Sequence, residues 1–99
     1  MPKKNYKFYK NKRTRYHPSI EIDSNKTNWR NLEVTSSPTK SGRYIRLRYN
    51  PSGSCRTAYV RKYLRNDPIK TRGQLLKKYH LSEEDLNEIE AFLLNNKKS

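Results

Sequence analysis

Arg15, His17 and Thr35 are the residues of this chain whose types suit phosphate chemistry without a metal. His17 is the histidine that lies among the N-terminal cations, and imidazole is the side chain best suited to moving protons near neutral pH. Cleavage of RNA by its own 2′-hydroxyl needs a base, an acid and a cation on the phosphate. An arginine, a histidine and a hydroxyl are types that fill those roles. By residue type alone, a histidine before Pro18 also reads as a structural residue at a strand entrance. His80 reads as a helix-end cap. The single cysteine, Cys55, has no His or Asn beside it and reads as incidental.

A second set has the chemistry of a binding surface. Arg43, Tyr44, Arg46 and Arg48 fall in one alternating run, and Tyr59, Arg61, Tyr63 and Arg65 in another. On a strand, alternate residues share a face at intervals of about 6.6 Å, twice the rise per residue. That is close to the spacing of phosphates along an extended single strand. Arginine both pairs phosphate and stacks on bases, and tyrosine offers a ring to an unstacked base. No acid on either outer face balances these cations, so a merely solvated sheet is the weaker reading.

The charge of the whole chain agrees with that surface. Its 99 residues carry 23 Lys+Arg against 9 Asp+Glu, a formal charge of +14. Residues 1–80 hold 21 basic and 4 acidic side chains, and the remaining residues hold 2 and 5. A segment so basic repels itself and is suited to meet a polyanion. No apolar run is long enough to span a bilayer, and no amphipathic basic face favours a membrane surface. No apolar segment follows the basic start, as a secretory signal would require. With one cysteine and two widely separated histidines, neither an internal disulfide nor a zinc set assembles. A cytoplasmic protein without metal or other cofactor is expected, with oligomeric state open and a dimer among the options.

The elements that must position these residues follow from periodicity. Residues 1–15 are basic and contain no aliphatic side chain beyond Met1, which predicts a flexible arm or a weak first strand. Residues 16–66 read as a β-rich core. Within it Ile20 with Ile22, Leu32 with Val34, Ile45 with Leu47, and Ala58 with Val60 and Leu64 point inward. Lys62 interrupts the last inward set, which suggests an edge or an opening. Residues 67–99 read as a helical segment packed on the same domain. Thr71-Arg72-Gly73-Gln74 suggests a capping box for a short helix through Tyr79, and Ser82-Glu83-Glu84-Asp85 opens a second with a Leu86, Ile89 and Leu93 stripe. The fold class expected is therefore α+β: a small antiparallel barrel or sheet of about four to five strands, then two C-terminal helices. Read as a helix-turn-helix, the second helix would bring Glu83, Glu84, Asp85, Glu88 and Glu90 to a duplex groove, which phosphate repulsion disfavours.

Two stretches, Arg15-Tyr16-His17-Pro18-Ser19-Ile20-Glu21-Ile22 and Asn31-Leu32-Glu33-Val34-Thr35-Ser36-Ser37-Pro38, resemble the opening of MazF/PemK/Kid-type toxins, over roughly residues 13–49. His17-Pro18 stands where that family has Arg-Pro, and Thr35 matches the family's threonine. The resemblance implies an SH3-like barrel that cuts RNA without metal, with Arg15 holding the phosphate, His17 moving protons and Thr35 orienting phosphate oxygens. Two further readings remain open. One is a non-catalytic nucleic-acid module, RNA favoured over DNA. The other is a cationic protein that meets an acidic protein partner.

Overall fold

A computed structural model of the chain describes residues 6–97. Seven strands form one antiparallel sheet: β1 Phe8–Asn11, β2 His17–Ser24, β3 Asn28–Thr35, β4 Tyr44–Arg46, β5 Tyr59–Arg61, β6 Arg65–Pro68 and β7 Arg72–Leu75. One α-helix, α1 Glu83–Lys97, follows. The strand order is β4-β5-β3-β2-β1-β7, with β6 pairing β3 on the flank that β5 also uses. This corrects the expected fold. The sheet has seven strands instead of the four or five of a small SH3-like barrel, and one helix follows instead of two.

The short helix expected from Thr71 to Tyr79 is absent for tertiary reasons. Ile69–Thr71 is a 3₁₀ turn, and Arg72–Leu75 continues as β7 beside β1, with Leu75 opposite Tyr9. The Thr71 hydroxyl, read as a helix cap, instead accepts the indole N–H of buried Trp29 at 3.0 Å. Gly73 is required by crowding, because a Cβ there would lie 2.8 Å from the Lys10 carbonyl oxygen. Pairing with β1 thus outweighs a weak local helix preference. Within the basic arm, residues 8–11 form β1 through Phe8, which is buried among the core side chains. Residues 1–5 of that arm lie outside the described residues.

β3 organises the sheet. Its first half pairs β6, from Asn28 opposite Pro68 to Asn31 opposite Arg65; its end pairs β5, Val34 opposite Val60 and Thr35 opposite Tyr59. Three steps along β3, 31 to 34, face five along the partner, 65 to 60, so the partner chain bulges between β5 and β6. Tyr63 N–H closes a tight turn on Arg61 O at 2.8 Å, and Lys62 N–H donates to Arg43 O at 2.8 Å.

The two faces of β3 have different fates. Leu32 and Val34 join Phe8, Ile20, Ile45 and Val60 in the core, and α1 covers this face with Leu86, Ile89 and Leu93. The helix begins as its sequence predicts: the Ser82 hydroxyl accepts Asp85 N–H at 3.2 Å. Asp85 is itself buried, and both carboxylate oxygens accept Arg48 N–H at 3.0 Å, which ties the helix start to the chain leaving β4. On the opposite face, Trp29 is buried edge-on to Tyr9, and Arg72 stacks over the Tyr9 ring at 4.7 Å. No helix among the described residues is long and apolar enough to cross a membrane.

Candidate nucleic-acid interface

The face of β3 away from α1 continues across β5 and β4. Thr35 is opposite Tyr59, and Tyr59 is opposite Arg46; Arg61 is opposite Tyr44. Paired residues share a face, so Tyr44, Arg46, Tyr59 and Arg61 form one outward patch while Ile45 and Val60 lie beneath in the core. Tyr44 and Tyr59 meet edge to face with centroids 6.3 Å apart. Arg61 reaches over the exposed Tyr63 ring at 5.8 Å. Arg43, Arg46 and Arg61 are exposed, and none of them forms an ion pair among the described residues.

Tyr44 is held in place by its own loop. Its phenol oxygen accepts Thr39 N–H at 3.2 Å and lies 3.2 Å from the Thr39 hydroxyl. Gly42 leaves room for the ring, since a Cβ there would come within 2.6 Å of it. The Thr39 side-chain and backbone hydrogen bonds, with the nearby Arg61, draw the Tyr44 pKa below its ordinary value against the opposing effects of desolvation and Glu33.

Of the residues proposed for catalysis, two are brought to one end of this face. Ser19 is opposite Glu33 in the antiparallel β2–β3 pair, so His17 and Thr35, each two residues beyond, run to the same end of the sheet. His17 Nδ1 lies 3.7 Å from Glu33 Oε2. The Thr35 hydroxyl accepts Ser37 N–H at 3.0 Å. Arg15 caps the 3₁₀ turn Lys12–Thr14 in a left-handed conformation, φ 56°, followed by Tyr16 at φ 64°. No hydrogen bond or ion pair joins Arg15 to His17 or Thr35 among the described residues. Glu33 was reachable from the sequence, because it sits two residues from Thr35 on the same strand face.

Two arginines assigned to the binding surface have other partners. Arg48 lies past the end of β4, with Nη1 at 3.3 Å from Glu88 and 3.5 Å from Asp85 on α1. Arg65 lies beyond the bulge and turns onto Asp67, Nε at 3.0 Å and Nη2 at 3.2 Å. Asp67 anchors a buried polar cluster that sequence reasoning missed. Asn11 Nδ2 and Asn31 Nδ2 donate to its Oδ2 at 3.1 and 3.0 Å, and Asn11 Nδ2 also meets Asn31 Oδ1 at 3.1 Å. Burial pushes the Asp67 pKa up, but the hydrogen bonds from Arg65, Asn31 and Asn11 and the Arg65 charge outweigh it and hold the carboxyl below its ordinary value. No buried side-chain polar atom lacks a partner among the described residues, so the cluster is complete as it stands.

Among the described residues, no three His, Cys, Asp or Glu side chains converge as a metal site would require. Compared with protein-family models, curated proteins and solved structures, the chain matches none of them.

Proposed function

We propose that the chain binds single-stranded nucleic acid, RNA in preference to DNA, on the open face of β3, β5 and β4. The observation that carries this reading is the patch of Tyr44, Arg46, Tyr59 and Arg61, whose two arginines have no carboxylate partner among the described residues. Three features support it: cations to meet phosphates, rings to meet unstacked bases, and a net charge of +14 to draw a polyanion in. RNA is favoured because protein recognition of RNA centres on splayed single strands stacked on aromatic and arginine planes. A cytoplasmic setting fits such a ligand and a lone exposed thiol, Cys55.

Arg46→Glu with Arg61→Glu tests the reading by fluorescence anisotropy on a labelled single strand. Both side chains are exposed, so the fold should persist by circular dichroism while affinity falls at least about tenfold. Undiminished RNA affinity in the double variant would overturn the assignment of this face. Retained affinity for an acidic protein with none for RNA would place the cationic protein-binding reading in front.

A second reading has one specific observation behind it, the His17–Glu33 pair beside the patch. We propose that this pair supports RNA cleavage. Glu33 orients the imidazole, His17 takes the proton of the 2′-hydroxyl, and the 2′-oxygen attacks the adjacent phosphorus. The P–O5′ bond breaks, the leaving 5′-oxygen takes a proton from water, and a 2′,3′-cyclic phosphate and a 5′-hydroxyl result. Cleavage should then persist in EDTA and fall about 10²-fold in His17→Ala, while binding survives. RNA left intact by the wild-type protein removes this reading and leaves the binding one untouched.

A further inference from the structure

Beyond β4 the chain turns around an open groove of about 610 Å³, walled by Arg46, Arg48 and Arg56 with Tyr49 and Ser54 beside them and one carboxylate, Glu88, which Arg48 pairs at 3.3 Å. Of the three guanidiniums, only Arg48 meets carboxylates; Arg46 and Arg56 have none among the described residues. Tyr49 is 67% exposed, an aromatic ring left in solvent at the edge of a cationic groove.

The loop that carries Arg56 is built to stay in place. Asn50 Oδ1 accepts Ser52 N–H at 3.0 Å, Ser52 Oγ accepts Ser54 N–H at 3.3 Å, and Ser54 Oγ accepts Arg56 N–H at 3.1 Å. Asn50 Nδ2 closes the ring by donating to Arg56 O at 2.9 Å. Gly53, at φ 84°, makes the turn, and the carbonyl of buried Pro51 accepts His80 N–H at 3.3 Å, which ties the loop to the stretch between β7 and α1. Short polar side chains thus satisfy the backbone of an exposed loop from within. A loop fixed in this way loses little entropy when it takes a ligand.

We infer that this groove binds one nucleotide unit, its phosphate between Arg46 and Arg56 and its base against Tyr49. Guanidinium forks suit phosphate oxygens, and a ring in solvent suits any base. Arg46 belongs both to the groove and to the outer patch of β4, so a strand on the sheet face has a cationic route into the groove. The unit therefore has two sources, a strand arriving from the sheet or a free nucleotide. For the first source the inference rests on the strand-binding reading above.

The test uses the whole chain with Arg56→Glu, Tyr49→Ala and, as a control on the sheet alone, Arg61→Glu. The substituted side chains are exposed, and circular dichroism verifies each fold. Affinity for a labelled single strand should fall about tenfold or more in Arg56→Glu, with a salt slope lower by about one phosphate, and several-fold in Tyr49→Ala. Wild-type affinity in both groove variants, beside a loss in Arg61→Glu, would overturn the groove and leave the sheet reading standing. Loss in the groove variants beside full affinity in Arg61→Glu would uphold the groove and remove the sheet. Titration with adenosine monophosphate separates the sources. Saturable binding that disappears in Arg56→Glu assigns a free nucleotide, and its absence beside the strand losses assigns a strand.

Discussion

At the scale of single residues, Asp67 shows what alternation along a strand can and cannot reveal. Arg61, Tyr63 and Arg65 read as one outward row, yet beyond the bulge Arg65, opposite Asn31, is drawn onto Asp67 and is not left to a ligand. The sequence did carry a sign of the break, since Lys62 falls where an apolar residue should be. It carried no sign that Asn11, Asn31 and Asp67 would converge, because 56 positions separate the outermost pair. Asp67→Asn keeps the shape but removes the charge opposite Arg65, and should cost roughly 1–3 kcal/mol in urea unfolding. The pH dependence has a definite sign. The native carboxyl titrates below its ordinary value, so the unfolded chain binds the proton first as pH falls. Asp67 therefore contributes its stability in full above the ordinary carboxyl range, and that contribution is lost as pH drops through the lower native value. Wild type should destabilise more steeply than Asp67→Asn on acidification below pH about 4. Equal slopes would show that the cluster does not hold the charge.

Among the elements, α1 was the most legible and β7 the least. The helix signals are local: Ser82 caps it, acids fill its first turn, and Leu86, Ile89 and Leu93 recur at helical spacing. Nothing local marks Arg72–Leu75 as a strand, because its partner β1 lies more than sixty residues away and itself reads as part of a basic arm. Two substitutions separate these cases. Ile89 is fully buried, so Ile89→Ala should cost about 2–5 kcal/mol, seen as a lower urea midpoint without a change in slope. Gly73→Ala places a methyl against the Lys10 carbonyl and should push β7 from β1, with faster amide exchange at residues 72–75 and 8–11. Unchanged exchange there would mean that the backbone yields at no cost. The patch itself was half legible: Tyr44, Arg46, Tyr59 and Arg61 share a face as alternation predicts, whereas Arg48 follows the turn beyond β4 down to α1.

For the whole molecule, the division of charge decides how it meets a ligand. α1 and the core occupy one side of the sheet, and its acids hold Arg48, while Arg46 and Arg61 stand on the other with no carboxylate ion pair among the described residues. Affinity for a single strand should therefore fall steeply with salt. With about four cations engaged, the log–log slope should be roughly −3, at about −0.7 for each phosphate neutralised. A flat affinity across the salt range would indicate that contacts other than phosphate pairs dominate.

The split between the two sides of β3, β5 and β4 has a consequence for descent and for engineering. Thr35, Tyr44, Arg46, Tyr59 and Arg61 share a backbone with Val34, Ile45 and Val60, but stand outside the packing that closes the core. Alphabets of side chains can be exchanged at these outer positions while the scaffold goes on folding. A randomised library at those five sites, selected on different oligonucleotides, should yield new preferences from one stable parent.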